Sequence, residues 1–363
     1  MCCIDRLNPP PGAGVPGRLL PAVLKLEWHS IHGAMKCYLL RFLLAVAGGF
    51  ALLQLGVQAQ PTAKVYRIGV LEMAPPDLRS PGQMAFYEEL RLRGYVEGRN
   101  LVVERRNAAG RADALPALAR ELVALGPDLI VASSPQPTRA VKDATSTIPI
   151  VMATVGEPVG IGLVSSLARP GGNITGVTLY GSELAWKRLE LPKEAIPGVR
   201  RIALLGNIAN PFSAFSWNEI QPAGPSLGLE LRLFTISELG EFPATFLAMK
   251  ENGSDALFVL SDALFNAARQ EIARLAAQHR LPSMFEAREF VEAGGLLAYG
   301  PNIAEMTRRS ASLIVKIIKG ANPGDLPIEQ PTTFELSVNV QTGRALGITI
   351  PATVLLRAHK VIE

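Results

Sequence analysis

Short apolar runs alternate with amphipathic, alanine- and leucine-rich stretches along most of this chain. Lys64–Met73 (KVYRIGVLEM), Asn100–Arg106 (NLVVERR), Asp128–Ala132 (DLIVA) and Ile148–Ala153 are of strand length and rich in β-branched residues. Between them lie helical patterns. Gly82–Arg93 spaces Phe86 and Leu90 one turn apart and stops at Gly94, and Asp113–Leu125 ends at Gly126-Pro127. Ser134-Pro135 opens a third helix, to about Thr145, with serine as N-cap and proline at the first helical position. This β-α-β-α-β-α-β series with short loops predicts a parallel sheet covered by helices on both faces.

The stretch Pro149–Val177 organises the rest. An apolar strand, Pro149–Ala153, runs into a polar turn at Thr154–Pro158. A short apolar helix is expected over Ile161–Ala168, stopped by Pro170-Gly171-Gly172-Asn173, with new material from Val177. The pattern then restarts. Helix is expected over Glu183–Ala195, from Asn210-Pro211 to about Leu227, over Pro243–Lys250 and over Ala263–His279. Strand is expected over Arg201–Gly206, Leu229–Thr235, Ala256–Leu260, Pro282–Glu286 and Leu296–Tyr299. Thr307–Lys319 reads as an amphipathic helix, and the rest as a last traverse and C-terminal cap. The expected fold class is α/β, with two doubly wound parallel-sheet lobes.

The first sixty residues change the charge picture. Residues 1–34 are rich in Pro and Gly without periodicity and read as an over-extended or disordered N-terminus. Residues 35–59 read as a signal peptide: a basic start at Met35–Arg41, an apolar run Phe42–Val57, and a small-x-small site at Val57-Gln58-Ala59. A membrane anchor is the alternative, against which stand the short run and its interruption by Gly48 and Gly49. Trimming at Gln60 leaves 31 of 36 basic and 30 of 32 acidic residues, a near-neutral chain with no nucleic-acid surface. Cys2, Cys3 and Cys37 all precede that point, and only His279 and His359 of the four histidines follow it. Disulfides, thiol chemistry and a zinc or copper site are therefore not expected.

Ligands of open parallel sheets bind outside the carboxyl ends of the strands. Those ends carry Glu72 and Met73; Ser133 and Ser134; Thr154, Gly156 and Glu157; Asn207 and Asn210; Ser261 and Asp262; Glu286; and Tyr299. A small zwitterion would suit them. The two serines and the amides of the helix at Pro135 would take a carboxylate, and Asp262 and Glu157 an ammonium. Phe86, Phe212 or Tyr299 would wall an apolar side chain. A plain N-cap explains Ser134, Asn210 and Asp262 equally well. Glu157 before Pro158 also fits a turn, and Tyr299 a core position. No nucleophile elbow, phosphate loop or dinucleotide fingerprint is present, so no enzyme and no cofactor are expected.

The segments RIGVLEM, GYVEGRNLVVERRNAAG, TSTIPIVMATVGEPVGIGLVSSLARPGGNITGV and NVQTGRALGITIPATVLLRAHKVIE resemble the ABC-transporter substrate-binding protein family, whose studied members include aromatic amino-acid binders. The resemblance covers the whole chain after the leader. Glu157-Pro158-Val159-Gly160 stands where relatives usually carry Asp-Pro-Val-Gly, and Ser134-Pro135-Gln136-Pro137 and Ala74-Pro75-Pro76-Asp77 also depart.

The resemblance implies a type I periplasmic-binding fold with three crossings, near Gly172–Val177, Glu292–Tyr299 and Pro331–Asn339. One lobe would hold residues 60–172 plus about 300–325, the other 176–295 plus about 330–363. It implies ligand contacts at Glu72, Met73, Ser133, Ser134, Thr154, Glu157, Asn207, Asp262, Glu286 and Tyr299. It further implies a periplasmic monomer that closes on a small molecule, with amino acids among the candidates, and delivers it to an ABC permease in the inner membrane. A sensing module feeding a membrane receptor is the alternative.

Overall fold

The computed structural model describes residues 64–73, 81–179 and 182–363, the side chains of 182 and 183 excepted. The leader, the proposed signal peptide and the Ala74–Asp77 departure lie outside the described residues. In chain order the elements are β1 (Tyr66–Glu72), α1 (Pro81–Leu92), β2 (Leu101–Asn107), α2 (Leu115–Ala124), β3 (Leu129–Ala132), α3 (Pro135–Ala144), β4 (Ile150–Val155) and β5 (Ile174–Thr178). Then follow α4 (Ser182–Ala195), β6 (Arg201–Asn207), α5 (Pro211–Ile220), α6 (Ala223–Leu227), β7 (Glu230–Ile236), α7 (Phe242–Glu251) and β8 (Ala256–Val259). The chain ends with α8 (Ala263–Ala267), α9 (Arg269–Gln278), β9 (Ser283–Phe285), α10 (Arg288–Glu292), β10 (Leu297–Pro301), α11 (Ile303–Ile318), β11 (Phe334–Asn339), α12 (Val340–Leu346), α13 (Ala352–Leu355) and β12 (Lys360–Ile362).

Two sheets result. The first is parallel throughout, in the order β2-β1-β3-β4-β5; the second runs β12-β11-β10-β9-β8-β6-β7, with β10 and β11 antiparallel. Successive strand residues face opposite sides, so each sheet divides two apolar cores. Ile68 and Val70 of β1 pack with α1 and α11, while Leu71 packs with α2 and α3. In the second sheet Ile202 and Leu204 face α4, whereas Ala203 and Leu205 face Phe242, Phe246 and Phe265.

Three expectations need correction. The chain does not leave the first sheet at Gly172–Val177: Ile174–Thr178 is its fifth strand, paired parallel to β4. Gly176, at φ +152, hides that strand, because a Cβ there would collide with the Met152 backbone on β4. The crossing comes after Thr178. The second crossing, expected at Glu292–Tyr299, falls after Pro301, since Leu297–Pro301 is a strand of the second sheet and α11 packs on the first. Lastly, Ile161–Ala168 is a string of turns rather than a helix. Leu163 and Val164 both donate to Pro158 O, and Gly162 is left-handed at φ +72, which ends regular helix after one turn.

Candidate functional site

Doubly wound sheets open a crevice where helices on adjacent strands leave to opposite sides. In the first sheet that point lies between β1 and β3; in the second, between β6 and β8. A cleft of about 1120 Å³, its open mouth included, lies between these two ends. Of the sequence-expected residues, Glu72, Met73, Ser133, Ser134, Thr154 and Asp262 line it, together with Phe86, Tyr87 and Phe212.

Ser134 closes β3 and starts α3. Its backbone is strained, with φ 82 and ψ 165, and its side chain makes no cap bond. Its Oγ is buried without a hydrogen-bond partner. Only its carbonyl is engaged, accepting from the Thr138 hydroxyl at 2.8 Å. The first turn of α3 is poor in amides, because Pro135 and Pro137 carry no N–H and only Gln136 does. The expected carboxylate cradle of helix amides is therefore reduced to one, and the serine hydroxyls stand in their place.

Asp262 is the opposite case. Its Oδ1 accepts from the Leu264 and Phe265 amides at 2.7 and 3.2 Å, capping α8. Its Oδ2 accepts from Asn207 Nδ2 at 3.1 Å and Asn210 Nδ2 at 2.8 Å. A carboxylate has about four lone-pair sites, and all four are taken. Burial pushes this carboxyl up, against the pull of Asn210, the two amides and Asn207. The carboxylate thus joins β6, α5 and α8, and leaves no acceptor for a ligand's ammonium, contrary to the sequence-based expectation.

Glu72, half-buried at the end of β1, retains that capacity. Burial raises its pKa from 4.5, opposed by Gln83, Arg105 and Asn107. Asn266 and Arg269 enter from the other side. The Asn266 Oδ1 is buried without a partner, and Arg269 donates to the Asn266 carbonyl at 3.0 Å. Neither was legible as a strand end, since both lie one to two turns along the helices after Asp262. Arg269 is the first residue of α9, where a basic side chain opposes the helix dipole, and that misfit is the one local signal.

The remaining expected contacts lie outside the cleft lining. Asn207 is buried and donates to Asp262. Glu286 sits behind Ser261, whose hydroxyl donates to it at 2.5 Å. Burial raises the Glu286 pKa against the attraction of Arg188, itself lowered by burial. Tyr299 is half-buried against the core of the second half, tilted on Phe334 at 6.2 Å, and its carbonyl accepts from Arg188 Nε at 2.7 Å. Glu157 adopts a left-handed turn at φ 44 beside Gly156. Among the described residues no cluster of His, Cys, Asp and Glu could hold a metal, and no helix is long and apolar enough to cross a membrane.

Two α/β halves with polar strand ends facing one cleft define the type I periplasmic-binding-protein class. A leucine-binding protein of Thermotoga maritima shares this fold, at 13% identity and a TM-score of 0.53, over 72% of this chain and 85% of that one. The chain belongs to the ABC transporter substrate binding protein family, whose model matches residues 68–362. The family's work is binding rather than bond chemistry. A tyrosine-binding protein of Clostridioides difficile (strain R20291) is 26% identical over 288 residues, covering 78% of this chain and 82% of its own. A Streptococcus pneumonia ABC domain solved with L-Trp is 27% identical, with a TM-score of 0.75 over 82% of this chain and all (100%) of that one. A conserved domain protein from Vibrio cholerae O1 biovar eltor has the same identity, 27%, and coverage, 82% and 100%, with a TM-score of 0.77.

Proposed function

We propose that this protein is the exported solute-binding component of an ABC importer, and that it captures an aromatic amino acid in the cleft. The carrying observation is a pair of buried, unpartnered oxygens on residues that line one cleft from its two sides: Ser134 Oγ in the first half and Asn266 Oδ1 in the second. Leaving such atoms unpaired costs about 1–3 kcal/mol each, a cost that a bridging polar ligand would offset.

The ligand's carboxylate lies against the Ser133 and Ser134 hydroxyls and the Arg269 guanidinium. Its ammonium meets Glu72 and Asn266 Oδ1. Its ring lies among Phe86, Tyr87 and Phe212, which border the same cleft. Aromatic rings packed in this way favour edge or offset contacts. A ligand that bridges the halves stabilises the closed arrangement, and the closed form is what a permease in the inner membrane recognises. Delivery of this kind places the protein in the periplasm and requires no partner copy. The relative named as tyrosine-binding and the one solved with L-Trp support the choice of ligand class.

A melting-temperature screen of the purified protein against the twenty amino acids tests this. At a hundredfold excess over Kd, L-tyrosine, L-tryptophan or L-phenylalanine should raise the melting point by roughly 5 °C. A shift with carboxylates or sugars and none with amino acids would overturn the ligand assignment.

A further inference from the structure

Two glycines in the turn after β4 meet two rings carried by α5. A Cβ built on Gly156 would stand 2.6 Å from Phe212 Cε2 and 2.7 Å from its Cζ. A Cβ on Gly160 would stand 2.8 Å from Phe215 Cζ and closer still to Cε2. Real Cβ atoms essentially never come within 3.0 Å of such neighbours. The two rings lie one helical turn apart and stack, with centroids 6.4 Å apart and planes 17° from parallel. The contact crosses between the halves, because β4 belongs to the first sheet and α5 packs on the second; α3 of the first half also packs on α5.

These glycines are not there for their backbone. Neither lies in the left-handed region, unlike Gly162 and Gly171 nearby. Neither φ is one that alanine avoids. What excludes a side chain is the pair of rings arriving from the opposite half. Phe212 also lines the ligand cleft, and both rings line a smaller pocket of about 350 Å³, its open mouth included, beside Arg188 and Ser261.

We propose that Gly156 and Gly160 are the seats on which the second half closes, and that they set ligand affinity by letting Phe212 and Phe215 press against bare backbone. This rests on the reading that the halves close on a ligand. Phe212 then has two contacts at once, the seat and the ligand's ring, so that ligand occupancy and closure reinforce each other. A methyl group at either seat wedges the halves apart while leaving each half intact.

The test compares the wild type with Gly156→Ala, Gly160→Ala and Gly160→Leu. Gly240→Ala serves as control, since a Cβ there meets nothing within 4 Å. Titration calorimetry with L-tyrosine and L-tryptophan reads affinity, small-angle X-ray scattering with and without each reads compaction, and melting reads the fold. At either seat alanine should weaken binding by about ten- to a hundredfold, the range expected for overpacking a close contact. Leucine should abolish it. The unliganded alanine variants should melt at the wild-type temperature or slightly above, because replacing glycine at an ordinary φ restricts the unfolded chain. Ligand should compact the wild type and the control but not the seat variants.

Variants that bind and compact like the wild type overturn the proposal. Suppose instead that the wild type binds neither amino acid. If it is nevertheless compact, and the seat variants are larger, the ligand assignment fails and the seats stand. If it is as expanded as the variants, both fall.

Discussion

Ser134 and Asp262 occupy equivalent places. Each follows a strand of its sheet, each stands at the N-cap of the next helix, and both border the cleft. Yet one side chain is fully engaged and the other idle. Asp262 accepts four hydrogen bonds and ties three elements together. Ser134 holds a strained backbone and leaves its hydroxyl unpaired and buried. Position in the fold is thus a poor guide to role. What separates a structural group from a binding group is whether its hydrogen-bonding capacity is already used.

Substitution should separate them further. Asp262→Ala strands two backbone amides and two asparagine side chains, and should cost about 2–4 kcal/mol of stability by chemical denaturation, from cap loss and unsatisfied donors together. Asp262→Asn keeps an acceptor for the cap but turns a donor toward the asparagines, so its loss should be smaller. Ser134→Ala should act the other way. Removing an unpaired buried hydroxyl leaves the unliganded protein as stable as before or up to about 1 kcal/mol more so, while L-tryptophan or L-tyrosine binding weakens about tenfold or more. If Ser134→Ala instead destabilises the protein by as much as Asp262→Ala, the contrast is lost.

Glu72 is intermediate, and pH exposes it. Its folded pKa is raised above 4.5, so between 4.5 and that raised value the folded protein holds more protons than the unfolded chain. This group therefore adds stability as pH falls from neutral through the raised pKa, and takes it away as pH rises. Glu72→Gln should flatten that part of the stability profile and make the unliganded protein slightly more stable at pH 7. The same change should weaken amino-acid binding at pH 7 and remove its decline on acidification, since a ligand's ammonium needs the ionised carboxylate. The smallest effect belongs to Tyr299→Phe: with its ring packed against the core of the second half and outside the cleft lining, affinity should stay within about twofold.

The strands and the two-half plan were legible because apolar runs of strand length recur at regular spacing. β5 was not, because its sequence, ITGVT, carries the glycine that close packing on Met152 requires, and glycine in a short run imitates a turn. Strand ends identified Glu72, Met73, Ser133, Ser134, Thr154 and Asp262 as cleft residues. Asn207, Glu157, Glu286 and Tyr299 do not line the cleft: Asn207 and Glu286 hydrogen-bond inside the second half, and Tyr299 packs against its core, contacts that local sequence does not carry. Asn266 and Arg269 escaped because they reach the cleft from helices rather than from strand ends. Nor does a sequence reveal that Asp262 is saturated, which depends on Asn207 and Asn210, more than fifty positions away.

One small molecule bridging Ser134 and Asn266 across the cleft would couple the two residues in binding. A double-mutant cycle by titration calorimetry tests it most directly, with L-tryptophan and L-tyrosine against the wild type, Ser134→Ala, Asn266→Leu and the pair. Tight binding by the wild type is expected, with about a tenfold loss in each single variant and a loss in the pair at least as large as both together. Wild-type affinity retained in both single variants would contradict it.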